Sequence, residues 1–184
     1  MGDASDEELV ERFRQSGEVR FFDELVNRHI GRVRGMIYPM VLNGADADEL
    51  TQEVFLRVAK GLLRFRGRAR FSTWLYRIAM NSAHSFLSKR SRSAVEVVAD
   101  PPDRKDESPG PAEVAAVREK DAGIMAALAS LSRPLRAAIT LTAIQGMSAR
   151  EAARVEECPL PTMYWRIHEA RRTLRVRLGG YLNE

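Results

Sequence analysis

Cysteine is almost absent from this chain of 184 residues: Cys158 stands alone, which excludes an internal disulfide and suits a reducing compartment. With only three histidines, scattered at 29, 84 and 168, there is no metal cage and no nucleophile–base arrangement. No glycine-rich phosphate loop follows a strand pattern, and no paired carboxylates share a credible pocket. No apolar run approaches the eighteen residues a membrane span requires, and the acidic N-terminus is unlike a secretory leader. Acidic residues are also missing over one long interval, from 54 to 95, where ten lysines and arginines stand unopposed. These absences point to a cytoplasmic binding protein rather than an enzyme, with no metal, cofactor or small-molecule substrate.

The charge that is present is segregated. Residues 1–53 carry twelve acidic and six basic groups, and residues 93–117 carry a net charge of −4. A basic stretch interleaved with aromatics, as in Phe71-Ser72-Thr73-Trp74-Leu75-Tyr76-Arg77, suits a polyanion whose bases can stack. The separate acidic face implies a second partner.

Four prolines and a glycine between Pro101 and Pro111, with strong acidity and no apolar periodicity, predict a flexible linker. It divides an all-α chain into two small helical domains, 1–95 and 114–184, joined by an acidic segment at 96–113. Helices are expected near 6–15, 19–38, 46–61 and 71–91, then 114–130, 132–144, 148–156 and 159–179. Asp46 is expected to cap the third, with Leu50, Val54 and Val58 inward and Asp48, Glu49, Gln52, Glu53 and Arg57 on the other face. Residues 61–70 read as a basic loop. In the helix that follows, Phe71, Leu75, Ile78, Ser82 and Phe86 form an apolar stripe, beside a wetter one of Trp74, Arg77, Asn81, His84 and Ser88. Trp74 remains open between a core ring and a seam residue with an exposed edge.

The second domain reads as four helices ending in a helix-turn-helix. Ser148 and Glu151 make a capping box, Cys158 is expected at the N-cap of the last helix, and Pro159 in its first turn. In that last helix Met163, Ile167, Ala170, Leu174 and Leu178 line the seam, while Trp165, His168, Glu169 and Arg172 lie opposite. An exposed tryptophan there needs a partner to cover it.

Three segments together resemble the signature regions of bacterial extracytoplasmic-function (ECF) sigma factors of the sigma-70 family: Asp46–Val58, Phe71–Asn81 and Cys158–Arg172. The resemblance implies a promoter-specificity subunit with core RNA polymerase and promoter DNA as partners, controlled by an anti-sigma factor of the kind often held in a membrane. It implies that Asp48, Glu49, Gln52, Glu53 and Arg57 bind polymerase. Arg64, Arg66, Arg68, Arg70, Trp74, Arg77, Asn81, Lys89 and Arg90 would engage the opened minus-ten strand. Thr162, Tyr164, Trp165, Arg166, His168, Glu169, Arg171 and Arg172 would face the duplex minus-thirty-five element. The sequence departs from the family pattern at Pro161, Tyr164, Trp165 and Glu169, where a glycine, a basic residue, a small residue and a basic residue are usual. An autonomous helix-turn-helix regulator is the alternative, and it would leave the acidic face at 48–53 without a purpose.

Overall fold

The computed structural model describes residues 4–96 and 122–179, with side chains described through Arg92 in the first of these spans. The acidic linker at 96–113 and the start of the helix expected from 114 fall outside the described side chains. Every regular element among the described residues is helical.

Helix α1 (Asp6–Ser16) opens on a capping box. Ser5 accepts from the Glu8 amide, while the Glu8 carboxylate returns to the Ser5 amide at 2.8 Å. Gly17, at φ 70°, takes the left-handed conformation that closes the helix. Helix α2 (Val19–Val41) is the central element, burying Leu25, His29, Val33, Met36, Ile37 and Met40 at steps of three and four. It runs past the expected end at 38 and continues through Pro39. Proline there removes one donor near the C-terminus, and the helix stops two residues later, where Leu42 at φ 59° donates to the Tyr38 carbonyl. Helix α3 (Gly44–Leu62) starts earlier than its apolar spacing suggests. Asn43, not Asp46, is the cap, and its side chain accepts from the Asp46 amide at 3.0 Å.

Helix α4 (Phe71–Glu96) also outruns its expected end. Its buried set is wider than one stripe: Phe71, Leu75, Tyr76, Ala79, Met80, Ser82 and Ala83 are all inaccessible, because the helix is packed on two sides.

In the second half, α5 (122–129) leads to α6 (Arg133–Ile139). The single helix expected over 132–144 is instead interrupted. Its last part, Thr140–Ile144, is a π-helical turn closed by Gln145 N–H to the Thr140 carbonyl at 3.0 Å. Gly146, at φ 69°, then turns the chain into α7 (Ala149–Val155), where the expected Ser148–Glu151 capping box is present. Hydrogen bonds from Ser148 hold the Glu151 carboxyl below its ordinary pKa. In α8 (Leu160–Leu178) the expected start is shifted by one residue: Pro159, not Cys158, is the N-cap. Pro161 then occupies the first turn, where no helical donor is lost.

The two halves share one core. Ala137, Ala138, Leu141, Ala152, Ala153, Val155, Met163 and Ile167 belong to the same buried cluster as the interior of α2, α3 and α4. A smaller cluster of Leu128, Leu131, Ile139 and Ala170 packs against Leu42, at the end of α2. Arg136 crosses the junction almost fully buried. It donates through Nη1 to the Met40 carbonyl at 2.8 Å and through Nη2 to Ala129 and Leu131 carbonyls at 2.9 and 3.2 Å. Burial, with Arg133 nearby, lowers its pKa, and its Nε has no partner among the described residues. Arg136→Met should therefore cost about 2–4 kcal/mol, because buried carbonyls lose a charged donor. A shift in the urea unfolding midpoint without a change in slope would register this, and an unchanged midpoint would refute it.

Candidate nucleic-acid and polymerase interfaces

The outward side of α3 is set by its seam. Leu50, Val54 and Val58 point inward, so Asp48, Glu49, Gln52 and Arg57 are exposed and Glu53 is half-buried. Asp48 is bound by Arg34, with Nε 2.5 Å from Oδ1, and this hydrogen bond lowers the carboxyl pKa. Arg57 bridges α3 and α4, pairing with Glu53 at 2.5 Å and donating to the Ser82 hydroxyl at 3.3 Å. Sequence reasoning missed Leu56. It lies among these polar groups with 62% of its surface exposed. The signal was available, since Leu56 falls off the Leu50–Val54–Val58 seam and one turn beyond Gln52 and Glu53.

Beyond α3 the basic loop is anchored by one ring. Phe65 is buried, 5.1 Å from the Trp74 ring and 6.2 Å from Phe71, while Arg64, Arg66, Arg68 and Arg70 around it are exposed. Trp74 itself is half-buried, with its other edge against Gly61. A Cβ on Gly61 would lie only 3.0 Å from the indole. The question left by the sequence is thus answered in favour of the seam. Asn81 and Lys89 are exposed, and the Asn81 side chain has no hydrogen-bond partner among the described residues. Arg90 is tied to Asp46 at 3.2 Å.

Part of the wetter stripe of α4 is covered. Arg77 donates from Nε to the Arg154 carbonyl at 2.7 Å and pairs with Glu157 at 3.2 Å. His84 Nε2 meets Glu156 at 3.1 Å, and Ser88 accepts from Arg133 at 3.0 Å. Glu156, buried in this junction, also holds Arg166 of α8 at 3.4 Å. The helix-turn-helix therefore sits on part of the surface expected to face a strand. His29 is structural: it bridges Asp6 at 2.7 Å and Tyr76 at 3.2 Å. Desolvation by burial raises the Tyr76 pKa.

The far side of α8 is uncovered. Tyr164 and Trp165 are 59% and 62% exposed, and His168, Arg171 and Arg172 share that surface. Thr162 is half-buried, Arg166 is drawn toward Glu156, and Glu169 is paired with Arg172. The expected sites thus fall into an exposed α3 face, an exposed loop, a partly covered α4 stripe and an exposed α8 face. Among the described residues no group of histidine, cysteine or carboxylates is arranged to hold a metal, and no helix is long and apolar enough to cross a membrane.

Comparison with known proteins identifies the family of the chain. The model of sigma-70 region 2 matches residues 25–93, and that of sigma-70 region 4 matches residues 122–174. The chain is 35% identical to the RNA polymerase sigma-H factor of Pseudomonas aeruginosa, over 97% of this chain and 96% of that one. It is 33% identical to the ECF RNA polymerase sigma-E factor of Escherichia coli K12, over 92% of each. Among solved structures, CnrH in complex with the cytosolic domain of CnrY superposes with a TM-score of 0.73, at 27% identity, covering 97% of this chain and 99% of that one. The fold is shared with the sigma factor RpoE from Bartonella quintana, solved in complex with the anti-sigma factor NepR, at a TM-score of 0.68 and 22% identity, covering 86% of this chain and 96% of that one. Family matches to both helical halves, together with relatives aligned over nearly the whole chain, place it: the chain belongs to the ECF sigma factors of the sigma-70 family.

Proposed function

We propose that this chain is a promoter-specificity subunit that binds core RNA polymerase through α3, captures the opened minus-ten strand with the loop and α4, and reads the minus-thirty-five duplex with α8. The units are residues 1–95 and 114–184, with 96–113 as the tether. Leu56 carries the reading most directly. An apolar side chain exposed among Asp48, Glu49, Gln52 and Glu53 is the pattern of a buried anchor within a polar rim. Asn81, on the helix that follows the arginine-rich loop, is exposed with its side chain unpartnered among the described residues, and would supply an amide for an extruded base while the loop supplies cations for its phosphates. The work is binding and melting, without covalent chemistry by the protein, in the cytoplasm where the polymerase acts. An autonomous regulator is disfavoured because it has no use for the α3 face.

Arg77 cannot contact a strand while it is engaged by Arg154 and Glu157, so the arrangement described here is a closed form. The halves separate when polymerase and promoter are bound. An anti-sigma factor acts by holding the closed form or covering the faces it leaves open; two solved relatives of this fold are complexes with such proteins or with a cytosolic protein domain.

Leu56→Asp should weaken binding of the fluorescently labelled protein to core polymerase about tenfold or more, because a charge replaces the anchor. Retained helical circular dichroism would separate this from misfolding, and unchanged affinity would remove α3 from the docking surface. Glu156→Ala deletes the acceptor shared by His84 and Arg166, so small-angle scattering should show a larger radius of gyration than for the unsubstituted protein. An equal radius would mean that the junction does not depend on this carboxylate.

A further inference from the structure

On the uncovered side of α8, Trp165, Glu169 and Arg172 follow one another at steps of four and three, forming a single stripe. Glu169 and Arg172 are joined by two bonds, Nε to Oε2 at 3.0 Å and Nη2 to Oε1 at 2.6 Å. An exposed pair of this spacing contributes little to stability. A lone carboxylate on a helix offered to DNA would also be repelled by phosphates. Here the carboxylate is neutralised by the guanidinium, and that hydrogen bond keeps it ionised by lowering its pKa. Arg172 itself remains open, with 67% of its side chain exposed.

The geometry defines what the pair has left to offer. Its contact with Glu169 uses the Nε edge of the guanidinium, so Nη1 and the second hydrogen of Nη2 remain as two parallel donors. The carboxylate oxygens keep free lone pairs. The pair therefore presents two donors beside an acceptor. In the major groove a G·C pair presents the complement: the N7 and O6 acceptors of guanine beside the N4 donor of cytosine. An A·T pair alternates acceptor, donor, acceptor, and would set the adenine N6 donor against Arg172 and the thymine O4 acceptor against Glu169.

We propose that Glu169 and Arg172 act as one reading unit that selects a single C·G base pair in the minus-thirty-five element. This rests on the assignment of α8 as the duplex-reading helix and adds the base pair that it requires.

The test is selection from duplexes randomised upstream of a fixed minus-ten sequence, using holoenzyme reconstituted from core polymerase and the full chain. The unsubstituted protein should recover a motif with one invariant C·G pair. Glu169→Gln is nearly isosteric but replaces the acceptor pair with an amide suited to adenine N6 and N7. It should lower the preference for C·G at that one position about tenfold and move it toward A·T, leaving the other positions unchanged. Arg172→Lys, which keeps the charge and loses the fork, should relax the same position. Motifs identical to that of the unsubstituted protein for both variants would overturn the proposal. So would a uniform weakening across all positions, which would make the pair a phosphate contact. If the unsubstituted holoenzyme initiates but recovers no upstream motif, the assignment of α8 falls, and this inference falls with it.

Discussion

Helix α4 has to satisfy two neighbours at once, and the rest of the molecule is arranged around that demand. One side completes the core with α2 and α3 through Phe71, Leu75, Ala79 and Met80. The adjoining side carries Arg77, His84 and Ser88, which are too polar to be buried without partners. Those partners come from the second half: a carbonyl at the end of α7, the carboxylates of Glu156 and Glu157, and the guanidinium of Arg133. A junction made of apolar contact plus polar groups that are also at home in water can close tightly and still open. Arg77, one of the side chains that seal the halves, is also among those proposed to engage the opened strand.

The apolar part of the junction has a different character. Arg136 reaches the end of α2 with its charge buried, and small residues such as Ala137, Ala138, Ala152 and Ala153 allow close approach. The opening proposed above would expose this surface, and another protein would have to cover it or the separated halves repack. Such a requirement links separation of the halves to partner binding by mass action.

Local structure was largely legible because helix signals are local. The Ser148–Glu151 box, the inward seam of α3 and the exposure of Trp165 all followed from spacing within one or two turns. Boundaries moved where a cap lay outside the apolar spacing: Asn43, itself a favoured cap, displaced Asp46, and Pro159, without a side-chain cap bond, displaced Cys158. The π turn at Thr140–Ile144 leaves no periodic signature in so short a segment. Packing between the halves was not legible either. A stripe of Arg77, His84 and Ser88 reads alike whether it meets solvent, phosphates or another helix, and only the fold supplies Glu156 and the Arg154 carbonyl opposite it. Leu56 was overlooked for the converse reason, since an apolar residue in an amphipathic helix is assigned to the core by default.

The close approach of Gly61 to the Trp74 indole gives α3 a mechanical role besides adhesion. That indole also rests on Phe65, the ring that pins the basic loop. Because close-packed groups of this kind do not slide past one another freely, a tilt imposed on α3 from outside would press on the indole and, through Phe65, on the loop. Helix and loop would then move as one lever, with its fulcrum where even a methyl group would make the indole give way by a few tenths of an ångström.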